Sequence, residues 1–145
     1  MKLLFDTSVW VDHLRRGILT PVIPALRGKF LLWFDAVSAA ELRAGCRSKQ
    51  ERQGVARLLS PFEKAGRLAL PEAGDYERAA DALSRLRQRG KTLKRPAGAL
   101  LDGLIGAVGV RLGALVVTLN IDDFRMLSAE LPLHAEHMTS FIERL

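Results

Sequence analysis

The chain has 145 residues, 48% of them hydrophobic and 26% charged, so we expect a single ordinary globular domain over residues 1–145. Its 22 Lys and Arg exceed its 16 Asp and Glu, giving a formal net charge of +6 that favours polyanionic partners. The single cysteine, Cys46, excludes an intramolecular disulfide and a cysteine-based zinc site. No signal peptide is recognised, and Asp102 and Arg111 interrupt the longest apolar stretch, 97–119, so we expect a cytoplasmic protein without a membrane partner.

Short apolar runs alternate with amphipathic stretches along the chain. Strands are predicted at 2–5, 30–37, 66–71 and 114–119, with a weak strand near His134 and His137 in the tail. Helices are predicted from Thr7 to near Gly17, from Ser38 to near Gly45, and over 49–65, 73–89, 97–112 and 122–128. This alternation predicts an α/β fold with a parallel sheet, in which ligands bind at the carboxyl ends of the strands.

Several carboxylates are expected at those strand ends, and most have an ordinary structural explanation. Asp6 follows the first strand, where Asp commonly caps a helix. Glu41 comes three residues after Ser38, the spacing of a capping box. Asp122 and Asp123 follow the apolar strand at 114–119, where acidic residues favour a helix N-terminus. Taken singly, each residue is explained by helix capping.

Asp102 is the exception, because it lies within the apolar sequence ALLDGLIGAVGV and would be close to the core. A buried carboxylate needs a partner, and a cation is one possibility. Carboxylates from four distant segments at one sheet edge would repel one another unless a cation joined them. Mg²⁺ or Mn²⁺ is the cation that such an oxygen cluster binds. Metal ions held by carboxylates alone are suited to hydrolysing phosphodiesters, which favours a nuclease.

A basic stretch supports that interpretation without requiring it. No acid occurs between positions 82 and 101, and six basic residues do. The stretch is either a solvated helix end and loop, or a patch for RNA or DNA phosphates or for an acidic partner. The six residues are Arg85, Arg87, Arg89, Lys91, Lys94 and Arg95.

Four motifs together make the chain resemble the PIN-domain family, most closely its VapC-type toxins. They are FDTSVW at 5–10, SAAEL at 38–42, LDGLI at 101–105 and VTLNIDDF at 117–124, in the family's order and spacing. The resemblance implies an α/β/α sandwich around a parallel sheet, and an endoribonuclease that uses Mg²⁺, with Mn²⁺ able to substitute. It also implies an RNA substrate, a homodimer and neutralisation by a VapB-like antitoxin.

The resemblance also assigns roles to individual residues. Asp6, Glu41 and Asp102 match the first three metal-binding acids, and the fourth is Asp123, which precedes Phe124, or its neighbour Asp122. Supporting positions are matched by Ser8, Thr118, which is expected to orient a carboxylate, and Asn120.

One departure from the family concerns the helix that carries the third acid. This helix contains Gly103, Gly106 and Gly109 where relatives are rich in alanine. Glycine in a helix costs about 1 kcal/mol relative to alanine. The glycines are therefore expected to permit close packing, either on the sheet or on a second subunit.

Two other functions are compatible with parts of the sequence. A catalytically silent PIN-like module that only binds RNA or protein would have lost one or more of the acids, whereas this chain retains all four positions. A phosphatase or receiver domain with Asp6 as phosphoacceptor requires Asp-x-Asp or a lysine at a late strand end. The chain has Ser8 and Asn120 at those places, which makes this the weakest alternative.

Overall fold

The computed structural model describes residues 1–145 and contains one sheet of five parallel strands, in the order β3-β2-β1-β4-β5. The strands are β1 Lys2–Phe5, β2 Leu31–Asp35, β3 Leu68–Ala69, β4 Ala114–Thr118 and β5 His134–His137. The predicted α/β class with a central parallel sheet is confirmed.

Helices cover both faces of the sheet. They are α1 Thr7–Arg16, α2 Ile23–Leu26, α3 Ala36–Ala44, α4 Lys49–Lys64, α5 Ala73–Gln88, α6 Ala99–Leu112, α7 Ile121–Ser128 and α8 Met138–Glu143. A short 3₁₀ turn, Pro96–Gly98, precedes α6. None of these helices is long and apolar enough to cross a membrane.

The sheet separates two hydrophobic cores, because alternate side chains of a strand point to opposite faces. Leu4 of β1 packs with residues of α5, α6 and α7, whereas Leu3 and Phe5 pack with residues of α1, α3, α4 and α8. On the second face, Trp10 stacks on Phe34 with ring centroids 4.4 Å apart. The result is a helix–sheet–helix sandwich.

The register of the central strands brings distant residues together at one edge. β1 pairs with both β2 and β4, and Phe5 lies opposite Val117. The backbone N–H of Asp6 continues this ladder by donating to the Val117 carbonyl at 3.1 Å. The residues that follow β1, β2 and β4 therefore share the carboxyl edge of the sheet.

The second strand and the helix after it differ from the prediction. β2 ends at Asp35 rather than at Val37, and α3 begins at Ala36. Asp35 is the N-cap, since its Oδ1 accepts a hydrogen bond from the Ser38 N–H at 2.6 Å. The predicted capping box from Ser38 to Glu41 is therefore wrong, because the buried Asp35 carboxylate takes the first-turn N–H group and leaves Ser38 inside the helix.

The glycines of α6 contact neighbouring elements of the same chain. A Cβ atom on Gly109 would lie 2.6 Å from Val116 Cγ2 of β4, and one on Gly103 would lie 3.3 Å from Ala79 Cβ of α5. Gly106 faces Leu133, with 3.3 Å to its Cδ2 atom. The close packing expected of these glycines is therefore on the chain's own sheet and helices.

Candidate active site

Asp6 is fixed at the end of β1 by donors from α1 and from β4. Its Oδ1 accepts from the Ser8 hydroxyl at 2.6 Å and from the Val9 N–H at 3.3 Å, and its Oδ2 accepts from the Thr118 hydroxyl at 2.8 Å. Only 1% of Asp6 is exposed. Burial raises its pKa, and the hydrogen bonds from Ser8, Thr118 and Val9 together with the charge of Arg95 oppose that rise.

Ser8 and Thr118 also hold the segment that follows β4. The Ser8 hydroxyl accepts from the Leu119 N–H at 3.1 Å, and the Thr118 hydroxyl accepts from the Asn120 N–H at 2.8 Å. Both hydroxyls thus donate to Asp6 and accept from the backbone beyond the strand. The ends of β1 and β4 are therefore joined through the Asp6 carboxylate.

Asp102 is the buried carboxylate with the least hydrogen bonding. It lies in the first turns of α6, is 4% exposed, and its Oδ2 is buried without a hydrogen-bond partner. Burial raises the pKa of Asp102 to about 7, and the negative charges of Asp6, Glu41 and Asp123 contribute to that rise. The positive charge of Arg95 opposes it. The other three acids predicted from the sequence therefore all act on Asp102 through their charges.

Glu41 belongs to a chain of hydrogen-bonding groups at the start of α3. Its Oε1 accepts from the Thr7 hydroxyl at 2.7 Å, and the Thr7 oxygen also lies 3.0 Å from the Ser38 hydroxyl. Ser38 in turn donates to Asp35 Oδ2 at 2.8 Å. Glu41 is thus connected through two hydroxyls to a second, fully buried acid.

Asp35 is the site residue that the sequence analysis missed. It is 0% exposed, and burial raises its pKa to about 7, with a contribution from Asp6 and opposition from its bonds to Ser38. The available signal was an acid that ends the apolar run FLLWFD, as Asp6 ends KLLF. Placing the strand end at Val37 concealed that parallel.

Asp123 and Asp122 differ sharply in their surroundings. Asp123 is 0% exposed, and its carboxylate accepts from the Lys94 N–H at 2.7 Å, the Arg95 N–H at 3.2 Å and the Asn120 amide at 2.9 Å. The Asp122 side chain is 54% exposed and forms an ion pair with the Lys94 ammonium group. Asp123 thus anchors the loop before α6, and Asp122 lies at the surface.

The six basic residues do not form one free patch. Arg85 and Arg89 both pair with Glu130, with 2.8 Å between Arg85 Nε and Glu130 Oε2, and Lys94 pairs with Asp122. The other three form no salt bridge, and one of them, Arg95, acts electrostatically on Asp6 and Asp102. Three of the six predicted residues are therefore held in ion pairs within the chain.

The donor set at this edge fits a hard divalent cation. Its side chains offer carboxylate oxygens, which Mg²⁺ and Mn²⁺ prefer. The unpartnered Asp102 Oδ2 is the observation that favours a cation there, since a buried carboxylate oxygen needs a counterpart. No group of three or more His, Cys, Asp or Glu side chains has the spacing of a complete ligand shell. Mg²⁺ usually keeps several waters and takes one or two carboxylates, so it does not require such a shell.

Residues 3–129 match the PIN domain model, and the chain therefore belongs to the PIN-domain family. PIN domains are generally nucleases and generally use divalent metals. The predicted resemblance to this family is confirmed. No curated protein shows significant sequence similarity to the chain.

Solved structures with the same fold come from complexes of toxin–antitoxin type. A chain of VapBC2 from Rickettsia felis, bound to a promoter DNA fragment, superposes with a TM-score of 0.74 at 20% identity, covering 94% of this chain and 98% of that one. A chain of VapBC-1 from nontypeable Haemophilus influenzae superposes with a TM-score of 0.70 at 17% sequence identity, covering 96% of this chain and 99% of that one. A chain of FitAcB from Neisseria gonorrhoeae superposes with a TM-score of 0.68 at 20% sequence identity, covering 93% of this chain and 96% of that one. At these identities the likeness is one of fold.

Proposed function

We propose that the protein is an endoribonuclease toxin of the VapC type, a single PIN domain that depends on Mg²⁺ or Mn²⁺. The observation that carries this proposal is the buried, unpartnered Oδ2 of Asp102, which lies among other acids at the carboxyl edge of a PIN-domain sheet. A catalytically silent module would gain nothing from such a charge arrangement, because the repulsion lowers its stability.

We assign Asp6 and Asp102 as the residues that would anchor the metal, with Glu41 holding it directly or through a water molecule. Asp102 has an unused oxygen, Glu41 has one oxygen outside the Thr7 bond, and Asp6 is aimed by Ser8 and Thr118. When bound, the metal activates water, orients the phosphate and stabilises the leaving oxygen. The fourth predicted acid, Asp123, contributes by fixing the backbone of the loop that carries Arg95.

The reaction follows from the groups that are present. Water attacks phosphorus in line, the bond from phosphorus to O3′ breaks, and the products carry 5′-phosphate and 3′-hydroxyl ends. Attack by the 2′-hydroxyl would need a positioned acid–base pair such as two histidines. Two of the three histidines have structural contacts: His13 Nδ1 accepts from the Leu19 N–H at 3.3 Å, and His137 Nδ1 accepts from the Thr139 N–H at 3.2 Å.

We assign a VapB-like antitoxin as partner in the cytoplasm, because the structural neighbours are VapBC and FitAB-type complexes. A groove of about 490 Å³ between α1, α3 and α4 is lined by Val11, Leu14, Leu42 and Val55 and has Glu41 at its edge. An antitoxin segment seated in this groove would cover one of the proposed metal ligands.

A homodimer is the second assembly that we propose. Tyr76, Leu100 and Leu101 are exposed apolar side chains that border one depression between α3, α5 and α6, with Val37 and Leu104 beside them. Contiguous exposed apolar surface on a small domain commonly marks a protein interface. We expect this face to be covered in the dimer.

Analysis of the ends of cleaved RNA tests the proposal. The purified chain, incubated with single-stranded RNA and Mn²⁺, is expected to leave 5′-phosphate ends. Asp102→Asn is expected to reduce the rate by about 100-fold or more, as loss of a metal-site group does, while exposed Asp122→Asn keeps most of it. Cyclic phosphate products, or cleavage that persists in EDTA, would contradict the mechanism. Full activity of Asp102→Asn would contradict the site.

A further inference from the structure

A cleft of about 400 Å³ lies between α5 and the segment that leads into α6. Its apolar lining includes Leu83, Leu86, Leu93 and Pro96, and the hydroxyls of Ser84 and Thr92 add polar groups. Arg87 and Lys91 also line it. The volume is within the range of small-ligand pockets. This cleft therefore combines an apolar floor with two cations.

The two cations that line the cleft have no acidic partner within the chain, and among the six basic residues they share this with Arg95. Arg85 and Arg89 are paired with Glu130, whereas Arg87 and Lys91 form no salt bridge. On an α-helix, residues two apart project about 200° from one another, so Arg85 and Arg87 face nearly opposite sides of α5. Helix α5 thus presents the paired Arg85 on one side and Arg87, which forms no salt bridge, on nearly the opposite side.

The segment between the cleft and the candidate active site is firmly attached. The Lys91 N–H donates to the Leu86 carbonyl at 2.9 Å, and Leu93 is 4% exposed. Beyond it, the N–H groups of Lys94 and Arg95 donate to Asp123. Four residues span at most about 14 Å, so Lys91 and Arg95 are within a few nucleotides of each other. Arg95 in turn acts electrostatically on Asp6 and Asp102.

We propose that Arg87 and Lys91 bind backbone phosphates of the RNA strand that extends from the scissile bond past Arg95, with one nucleotide seated in the cleft. This proposal rests on the proposed ribonuclease function and specifies the path of its substrate. Arg85, Arg89 and Lys94 are expected to contribute less to phosphate binding, because they form ion pairs with Glu130 and Asp122.

An RNA strand fits this surface better than an acidic peptide does. The free cations continue toward Arg95, and Arg95 adjoins the acids that would position a phosphate for hydrolysis. A substrate strand must reach that point, whereas a peptide in the cleft has no reason to follow the same line. Binding of single-stranded nucleic acid commonly combines cations that contact phosphates with side chains against which the bases pack, and the cleft offers both cationic and apolar side chains.

Two double variants of equal charge test the proposal. Arg87→Gln/Lys91→Gln and Arg85→Gln/Arg89→Gln each remove two positive charges from α5 and its end. Binding of a fluorescent single-stranded RNA is measured in EDTA, which prevents cleavage, over a series of salt concentrations. We expect the first variant to lose affinity about 10-fold and to flatten the dependence of log K on log salt by about 1.4, the amount for two phosphates of a single strand. We expect the second variant to retain most of the wild-type slope.

Cleavage assays separate the failure of this inference from failure of the function. With Mn²⁺, the first variant is expected to raise KM and to keep kcat within about threefold, because the lost contacts are remote from the reacting phosphate. Equal losses in both variants, or an unchanged salt slope in the first, would overturn the proposal even if the wild type cleaves RNA. Loss of binding to an acidic peptide probe with unchanged RNA binding would overturn it in favour of a protein partner. A wild type that neither binds nor cleaves RNA would overturn the ribonuclease function itself.

Discussion

Three of the buried acids at the carboxyl edge of the sheet, Asp6, Asp35 and Asp102, have raised pKa values and pair with no cationic side chain. Asp6 is compensated by three donors and Asp35 by the two donors of Ser38, whereas Asp102 Oδ2 has none. Each pKa is raised, which means that the folded protein holds protons on these groups more tightly than the unfolded chain does. The proposed cation site is therefore expected to lower the stability of the protein when no cation occupies it.

Asp102→Asn is expected to stabilise the protein at pH 8 in EDTA by about 1 kcal/mol or more, because it removes a buried charge that repels Asp6. Denaturant unfolding measures the change. The exposed Asp122 provides a matched control, and Asp122→Asn should shift the free energy of unfolding by less than about 0.5 kcal/mol. A less stable Asp102→Asn variant would show that the carboxylate makes a favourable contact in the metal-free protein.

The sequence could predict Asp6 and Asp102, since one ends a clear apolar run and the other interrupts one. The sequence could not predict which cations of the basic stretch at 85–95 lack an acidic partner. Glu130, which neutralises Arg85, is 45 positions away from it, and no local pattern indicates such a contact. Asp35 was missed for a related reason: whether a strand ends at Asp35 or at Val37 depends on which group caps α3 in the folded protein.

At the scale of the elements, α6 is the central helix of one face. A run of eight consecutive residues from Asp102 to Gly109 is buried, because α5, α7 and the sheet enclose it. Such burial requires small residues where neighbours approach, and Gly109 meets Val116 of β4 at a distance that excludes a Cβ atom. The glycines of this helix are therefore a packing requirement that outweighs their cost in helix propensity.

Gly109→Ala and Gly54→Ala are expected to change stability in opposite directions. Alanine at position 109 would overlap Val116, and overpacking costs about 1–3 kcal/mol, more than the gain of about 1 kcal/mol in propensity. Gly54 of α4 has only the tip of Arg57 near a Cβ atom, at 4.0 Å, so alanine there should stabilise by about 1 kcal/mol. Thermal unfolding of the two variants checks both signs, and a stabilised Gly109→Ala variant would contradict the close contact.

The positions of most helices and of four strands follow from periodicity, since each long amphipathic stretch has one face for the core. The order of the strands does not. β1 is the first strand in the chain and the middle strand of the sheet, and its partners β2 and β4 are selected by long-range packing. The short helices α2 and α8 were not predicted either, because four and six residues are too few to show a helical period.

At the scale of the molecule, the stability of the metal-free protein is expected to fall as the pH rises from about 5 to 8. Asp35 and Asp102 have pKa values raised from 3.8 to about 7. A raised carboxyl pKa contributes stability that is complete below the unfolded value and is lost as the pH rises through the folded value. His13 acts in the opposite direction, because burial lowers its pKa below the ordinary value and stability is gained as the pH rises through that range.

Urea unfolding at pH 5, 6.5 and 8 in EDTA measures this dependence, and Asp102→Asn should reduce the decline. Added Mn²⁺ should restore stability most at pH 8, where the carboxylates are ionised and free to bind it. A stability that rises across this range in EDTA would mean that His13 and other groups outweigh the two acids.

The position of β1 at the centre of the sheet also determines when the protein can first act during translation. Asp6 leaves the ribosome early, but Thr118, which orients it, is 112 positions later. At about 5–20 residues per second, roughly 6–22 s pass before that partner has been synthesised. Until then β1 has no β4 to pair with, and the chain lacks the loop anchor Asp123. The candidate site of a nascent chain is therefore incomplete, and the proposed cleavage of RNA is expected to begin only after β4 and Asp123 have been synthesised.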